Sequence, residues 1–373
     1  MKKWLTMLLI PVLLFSLWGC QPKTAPQSAP VTTMPAESEP EIPAGPSVGV
    51  CIPDNDPRWK TDVAVMTREL QSRNYNIIVE YAAGDPGKQA RQMEKLIEAK
   101  VLCLIVAPVD SMALVEAEKM AKEAGIPIIA YDRLLMDTQA VDAFVTFDYE
   151  KMGQEMGSYI VEQKQLKTAA TENRSYTVEF YMGSADDHSA LLLHTGLMSV
   201  LQPYLDAGVL VCASGRTSFA DTYVLQASAI KAKEKLSNCL SLSYGEGRPD
   251  ILCTGSDEMA VACAEILDTM GFSGSNRPLI VSQGGSVVGV RAVLSLRIDM
   301  TVYKDNRELA SNAVRIAGDL IAGQTPEYNE TQRFHNHMIP VPAWVCRSFP
   351  VDSLSCWAQL VETGIYTESE LTE

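Results

Sequence analysis

From residue 47 onward, short apolar runs alternate with stretches of helical periodicity, and this alternation restricts the possible folds more than any other feature. Ser47–Ile52 (SVGVCI) and Asn76–Tyr81 (NIIVEY) read as strands, with helices over Thr61–Ser72 and Pro86–Lys100. Val101–Ala107 (VLCLIVA) is apolar at every position, the pattern of a strand buried on both faces of a parallel sheet. Ser111 is placed to cap a helix running to about Glu123, Gly125 ends it, and Pro127–Tyr131 is a strand. Further strands are expected near Ala143–Phe147, Tyr176–Met182, Val209–Ala213, Ile251–Thr254, Leu279–Ser282 and Met300–Tyr303. Helices are expected near Tyr149–Gln163, Ser189–Gln202, Thr222–Leu236, Glu258–Met270, Val287–Leu296 and Arg307–Ala322. Repeated βα units build doubly wound parallel sheets, and this many strands favour two lobes over one sheet.

The chain has 373 residues, enough for about two domains. Its net charge of −15 repels phosphate backbones, so a nucleic-acid partner is not expected. The first 19 residues read as a secretory signal: Lys2 and Lys3, an apolar run from Trp4 to Trp18, then Gly19 before Cys20. The run is short for a membrane span. Gly19-Cys20 resembles a bacterial lipobox, which implies lipidation of Cys20, an extracytoplasmic location and a membrane anchor. Residues 20–46 carry seven prolines among Ser, Thr, Ala and Glu, a composition that cannot bury enough apolar surface to fold and reads as a tether. No CxxC pair occurs. Cys346 and Cys356 are candidates to pair, against the simpler reading of free buried thiols.

In doubly wound folds ligands bind beyond the carboxyl ends of the strands. The residues just after each expected strand are polar and charged, unlike the strands that feed them: Asp54–Trp59, Pro108–Ser111, Asp132-Arg133, Asp148, Gly183–Ser189, Gly255–Glu258, Gln283–Ser286 and Lys304–Arg307. Carboxylates that accept and Arg or Lys groups that donate suit a polyhydroxyl ligand.

These motifs fall in a recognisable order. Arg58-Trp59, Pro108-Val109-Asp110-Ser111, Tyr131-Asp132-Arg133, Phe147-Asp148, Gly183-Ser184-Ala185-Asp186-Asp187, Ser256-Asp257 and Val302–Leu309 together resemble the periplasmic binding proteins of the ribose/galactose/xylose type, nearest the xylose-binding and multiple-monosaccharide-binding members. The resemblance runs from about Ser47 to the end of the chain. It implies two lobes joined by three crossings, near Phe147, Lys304 and Met338–Pro342. The first lobe would hold residues 47–147 and 305–337, the second 148–304 and 338–373. It also implies a monosaccharide captured by hinge closure, an ABC permease and ATPase as partners, and a monomer with no cofactor or metal. A sensor presenting its ligand to a membrane receptor or kinase is the alternative. A sugar-modifying enzyme fits less well, since no GxSxG, HExxH or phosphate-binding loop is present.

The site the resemblance implies comprises Arg58, Trp59, Asp132, Arg133, His188, Ser189, Asp257, Gln283 and Lys304. Trp59 either stacks on the sugar or packs on its own helix. Arg58 donates to sugar oxygens or is solvated. Asp132 and Arg133 read hydroxyls, orient each other, or both. Asp257 either accepts from hydroxyls or caps its helix. Departures from the family pattern bear on specificity: His188-Ser189 stands where an Asn pair is common, Gly284 follows Gln283 where Asp is common, no Trp occurs near Tyr223-Val224, and Tyr149 replaces an Asn. His335-Asn336-His337 lacks a third ligand and reads as a polar loop rather than a metal site.

Overall fold

The computed structural model describes residues 45–372. The expectations for a signal at 1–19, a lipidated Cys20 and a tether fall outside these residues, apart from Gly45 and Pro46. Twelve strands alternate with twelve α-helices in the order β1 (Ser47–Ile52), α1 (Pro57–Ser72), β2 (Asn76–Tyr81), α2 (Pro86–Glu98), β3 (Leu104–Val106), α3 (Val115–Glu123), β4 (Ile128–Tyr131), β5 (Val141–Phe147), α4 (Tyr149–Gln163), α5 (Leu166–Thr171), β6 (Tyr176–Tyr181) and α6 (His188–Asp206). The order continues with β7 (Leu210–Val211), α7 (Phe219–Thr222), α8 (Ala229–Cys239), β8 (Ile251–Thr254), α9 (Asp257–Thr269), β9 (Leu279–Gly284), α10 (Val287–Leu294), β10 (Met300–Lys304), α11 (Asn306–Ile321), β11 (Ala343–Cys346), β12 (Ser348–Asp352) and α12 (Glu368–Thr372).

The strands form two six-stranded sheets, in the orders β2-β1-β3-β4-β5-β11 and β7-β6-β8-β9-β10-β12. Every pairing is parallel except that of β12 with β10. Each sheet therefore has a point where strand order reverses, between β1 and β3 and between β6 and β8, where a crevice opens at the strand ends. The strands are apolar on both faces because helices cover both. Val48, Val50 and Ile52 face one layer and Cys51 another, all fully buried.

The chain crosses between sheets after Phe147 and after Lys304. Helix α11 then returns to the first lobe, where Leu309, Ala313 and Val314 pack in one core with Val63, Met66 and Leu70 of α1. The third crossing differs from the expectation near Met338–Pro342. Strand β11 pairs in parallel with β5 through Cys346, and β12 pairs with β10 from Ser348, so the chain crosses at Arg347. Residues 338–346 thus belong to the first lobe. The burial of Val341 and Ala343 against Phe144 and Phe334 draws this segment there.

Three local expectations also shift. Helix α3 starts at Val115 behind Leu114, with no side-chain cap: Ala113 N–H closes a turn on the Asp110 carbonyl, and the Ser111 hydroxyl is buried without a partner among the described residues. The strand expected at Val209–Ala213 shortens to two residues. The helix expected at Thr222–Leu236 is broken where Gln226 takes a positive φ, and α8 starts at Ala229 behind its Ser228 cap. All eight cysteines among the described residues are unpaired, and seven are buried.

In the second lobe α4 and α6 touch backbone to backbone. A Cβ on Gly196 would lie 1.9 Å from the Glu150 carbonyl oxygen, and one on Gly153 would lie 2.1 Å from that of Leu193. This close approach seats the first turns of α4 against the middle of α6, around Leu193–Leu197.

Candidate functional site

The carboxyl ends of the two sheets face each other. From the first lobe, α1 starts three residues after Asp54, capped by the Asp56 carboxylate, which accepts from Trp59 N–H at 3.1 Å. That cap places Arg58 and Trp59 on the first turn. Asp132 follows β4 in the left-handed region, at φ 64, a costly conformation for a non-glycine residue. Its N–H donates to Val145 O at 2.7 Å, which pins the turn and aims the carboxylate into the crevice.

Asp132 is the centre of a buried network. Arg58 Nη2 donates to its Oδ2 at 2.7 Å and the Tyr149 hydroxyl to its Oδ1 at 2.6 Å. Lys304 Nζ, at the end of β10, donates in turn to the Tyr149 hydroxyl at 3.0 Å. Asp132 is 2% exposed and Lys304 7%. Burial alone would raise the Asp132 carboxyl, but the Arg58 and Lys304 charges and the Tyr149 hydrogen bond hold it well below the usual carboxylate range. Burial, with Arg58 adding to it, lowers Lys304 to about 8 against the pull of Asp132 and Asp187.

Further contacts cross between the lobes. Arg133 Nε lies 3.1 Å from Asp187 Oδ2, and Ser189 Oγ donates to the Asp132 carbonyl at 3.3 Å. Arg133 Nη1 also donates to Pro108 O at 3.1 Å. The lobes are therefore drawn together. Arg58, Asp132, Arg133, Ser189 and Lys304 are brought into this one region, joined by Tyr149, Asp187 and Asp62.

Sequence reasoning did not single out Asp62 as a site residue. It lies one helical turn after Arg58, with Oδ2 3.7 Å from Arg58 Nε and accepting from the Tyr131 hydroxyl at 2.9 Å. Burial pushes its carboxyl up to about 7, even though Arg58 and the Tyr131 hydrogen bond act in the opposite direction. The i,i+4 spacing of Arg58 and Asp62 was the available signal.

Other residues take different positions. Trp59 is 3% exposed and belongs to the core with Val63, Met66 and Tyr131, and the Arg58 guanidinium covers its ring at 3.9 Å. Of the two alternatives for Trp59, the packed one describes this structure. Asp257 is fully buried within the second lobe. Its Oδ1 accepts from Ser282 Oγ and Thr301 Oγ1, both at 2.6 Å, and its Oδ2 from Ser286 N–H and Oγ at 2.8 and 3.0 Å. All four lone-pair directions are used, so Asp257 ties β9, β10 and α10 together and is not joined to the Asp132 network. Its own helix is capped by Ser256 instead. Gln283 donates through Nε2 to Gly255 O at 2.6 Å and keeps a buried Oε1 without a partner among the described residues. His188 is half-buried at the start of α6, and burial lowers its ring below the usual value, with Asp187 opposing.

Arg58 Nε and Asp62 Oδ1 are also buried without a hydrogen-bond partner among the described residues. Unpaired buried donors and acceptors are rare in folded proteins. Arg58 and Asp62 thus offer a donor and an acceptor side by side to a polar guest.

Two hinged α/β lobes with polar strand ends turned toward a common crevice define a binding protein that closes around a small solute. The sequence agrees: residues 48–325 match the model of the periplasmic binding protein domain family, and the chain belongs to that family. It is 31% identical over 328 residues to the multiple sugar-binding periplasmic protein SbpA of Azospirillum brasilense, covering 87% of this chain and 91% of that one. It is 27% identical over 314 residues to the D-xylose-binding periplasmic protein of Escherichia coli K12, covering 84% and 88%. Among solved structures, an ABC transporter solute-binding protein from Clostridium phytofermentans with bound β-D-glucose superposes with a TM-score of 0.82 at 30% identity, covering 87% of this chain and all of that one.

Proposed function

We propose that this chain captures a monosaccharide between its two lobes outside the cytoplasm and presents it, closed, to the permease and ATPase of an ABC importer. Lipidation of Cys20 would hold it at the membrane surface. The observation that carries the reading is the buried network Arg58–Asp132–Tyr149–Lys304, drawn from both lobes, with unpaired polar atoms of Arg58 and of its neighbour Asp62 beside it. A sugar hydroxyl both donates and accepts, so it can pair with carboxylate, amide and guanidinium groups at once. The sugar ligands of SbpA and of the Clostridium phytofermentans protein support the same chemistry. Closure would bury the guest and set its residence time, as in other hinge-closing proteins.

The test is a thermal-shift screen of the purified chain against pentoses, hexoses and polyols. A bound ligand stabilises the folded state by mass action. At least one monosaccharide raises the melting temperature, and Asp132→Ala abolishes the rise while the protein stays folded by circular dichroism. A flat response across the whole panel refutes sugar capture. Metabolic labelling with a fatty-acid probe, lost on Cys20→Ser, tests the anchor.

A further inference from the structure

Tyr149, which stands where the family pattern has an Asn, is at the middle of the cleft network. It opens α4 directly after the first crossing and is 5% exposed. Its ring meets Phe147 edge-on, with centroids 6.4 Å apart, and Lys304 Nζ lies 4.9 Å from the ring centroid. Its hydroxyl donates to Asp132 Oδ1 from the other lobe and accepts from Lys304 Nζ. A sugar hydroxyl held between a carboxylate and an ammonium would make the same two bonds in the same directions.

We propose that Tyr149 determines specificity by supplying from the protein a hydroxyl that a larger sugar would otherwise bring, so that the cleft favours a pentopyranose over the hexopyranose of matching stereochemistry. The inference rests on the sugar-capture reading above. Three features carry it. The phenol takes one lone pair of Asp132 Oδ1 and one N–H of Lys304 at this end of the cleft. Its ring fills the space beside them, against Phe147 and Lys304. The close contact of α4 with α6 at Gly153 and Gly196 keeps the start of α4 from moving outward to make room. The groups left unpaired beside it, Arg58 Nε and Asp62 Oδ1, lie on α1 and remain for the rest of the ring.

The test measures dissociation constants by calorimetry for matched pairs that differ only by a hydroxymethyl group: D-xylose with D-glucose, L-arabinose with D-galactose, and D-ribose with D-allose. For the pair it recognises, the wild-type protein binds the pentose more tightly. Tyr149→Ala removes the ring and the hydroxyl and shifts the pentose-to-hexose affinity ratio at least about tenfold toward the hexose. Tyr149→Asn, which keeps a polar group at the helix start, gives the same shift and serves should the alanine variant fail to fold. A residue with only a structural role would weaken both sugars alike and leave the ratio unchanged. A wild-type preference for the hexose, or an unchanged ratio in a folded variant that still binds, overturns the role of Tyr149 and leaves sugar capture standing. A wild-type protein that binds neither member of any pair overturns the role of Tyr149, and one that also leaves the whole thermal-shift panel flat overturns sugar capture with it.

Discussion

Replacing Asp62 by Asn should make the protein more stable, and only above mild acidity. The Asp62 side chain is fully buried, and its carboxyl is pushed from 3.8 up to about 7 by burial. The groups facing it are Arg58 on its own helix, Tyr131 at the end of β4, Asp132 beyond it and Lys304 from β10. Because the folded state holds the Asp62 proton more tightly than the unfolded chain does, the native form is favoured below pH 3.8. That advantage is lost as pH rises toward 7, and the curve is level above it. The window spans about three pH units, each worth about 1.4 kcal/mol, so ionising Asp62 costs the fold at most about 4 kcal/mol at pH 8. Asn keeps the shape and the acceptor for the Tyr131 hydroxyl but never ionises. Thermal melts of both proteins from pH 4 to 9, without ligand, give the difference directly and cancel the buried carboxyls of Glu118 and Asp257, which are shifted in the same direction. Asp62→Asn should match wild type at pH 4 and melt several degrees higher at pH 8, since 1 kcal/mol moves Tm by about 2–4 °C in proteins of 150–250 residues. A difference that does not change with pH, or an Asn variant that is less stable at pH 8, would refute the assignment of a buried, proton-holding carboxyl at this position.

Other consequences are equally direct. Gly196→Ala should destabilise by about 1–3 kcal/mol in urea unfolding, because the new methyl would meet the Glu150 carbonyl at 1.9 Å. Asp257→Ala leaves the hydroxyls of Ser282, Thr301 and Ser286 and one N–H without their acceptor, and should cost about 3 kcal/mol in the same assay. Arg133→Ala removes the contact with Asp187 between the lobes, and should speed ligand release several-fold in stopped-flow measurements while the ligand-free melt stays within about 1 kcal/mol of wild type.

The lobes were legible because each βα unit announces itself locally. Runs such as Val101–Ala107 are apolar throughout, and the helices carry clear caps and apolar stripes. The loop residues Arg58, Asp132, Arg133 and Lys304 were legible for the same reason: they follow strands, and the fold class says where strand ends point. What the sequence hid depends on contacts between distant segments. Strand β11 was missed because Ala343–Cys346 is four residues long and its place is set by β5, almost 200 positions earlier. Asp257 could be read as ligand-facing or as a cap. It turned inward because Gly284 and Gly289 leave room for its carboxylate, a fact of backbone approach rather than of pattern. Trp59 was ambiguous in the same way, since an aromatic at the start of a helix can face the core or the cleft, and only the neighbours decide.

Strands β11 and β12 lie one residue apart, on either side of Arg347, and each finishes a different sheet. A polypeptide delivered amino end first must therefore keep two unfinished sheet edges exposed until residues 343–352 emerge, and both are then closed almost together. No single cut can release either half as an independent folding unit. The interleaving that couples the halves mechanically also couples their assembly in time, and leaves the incomplete chain dependent on whatever shields open edges while it waits.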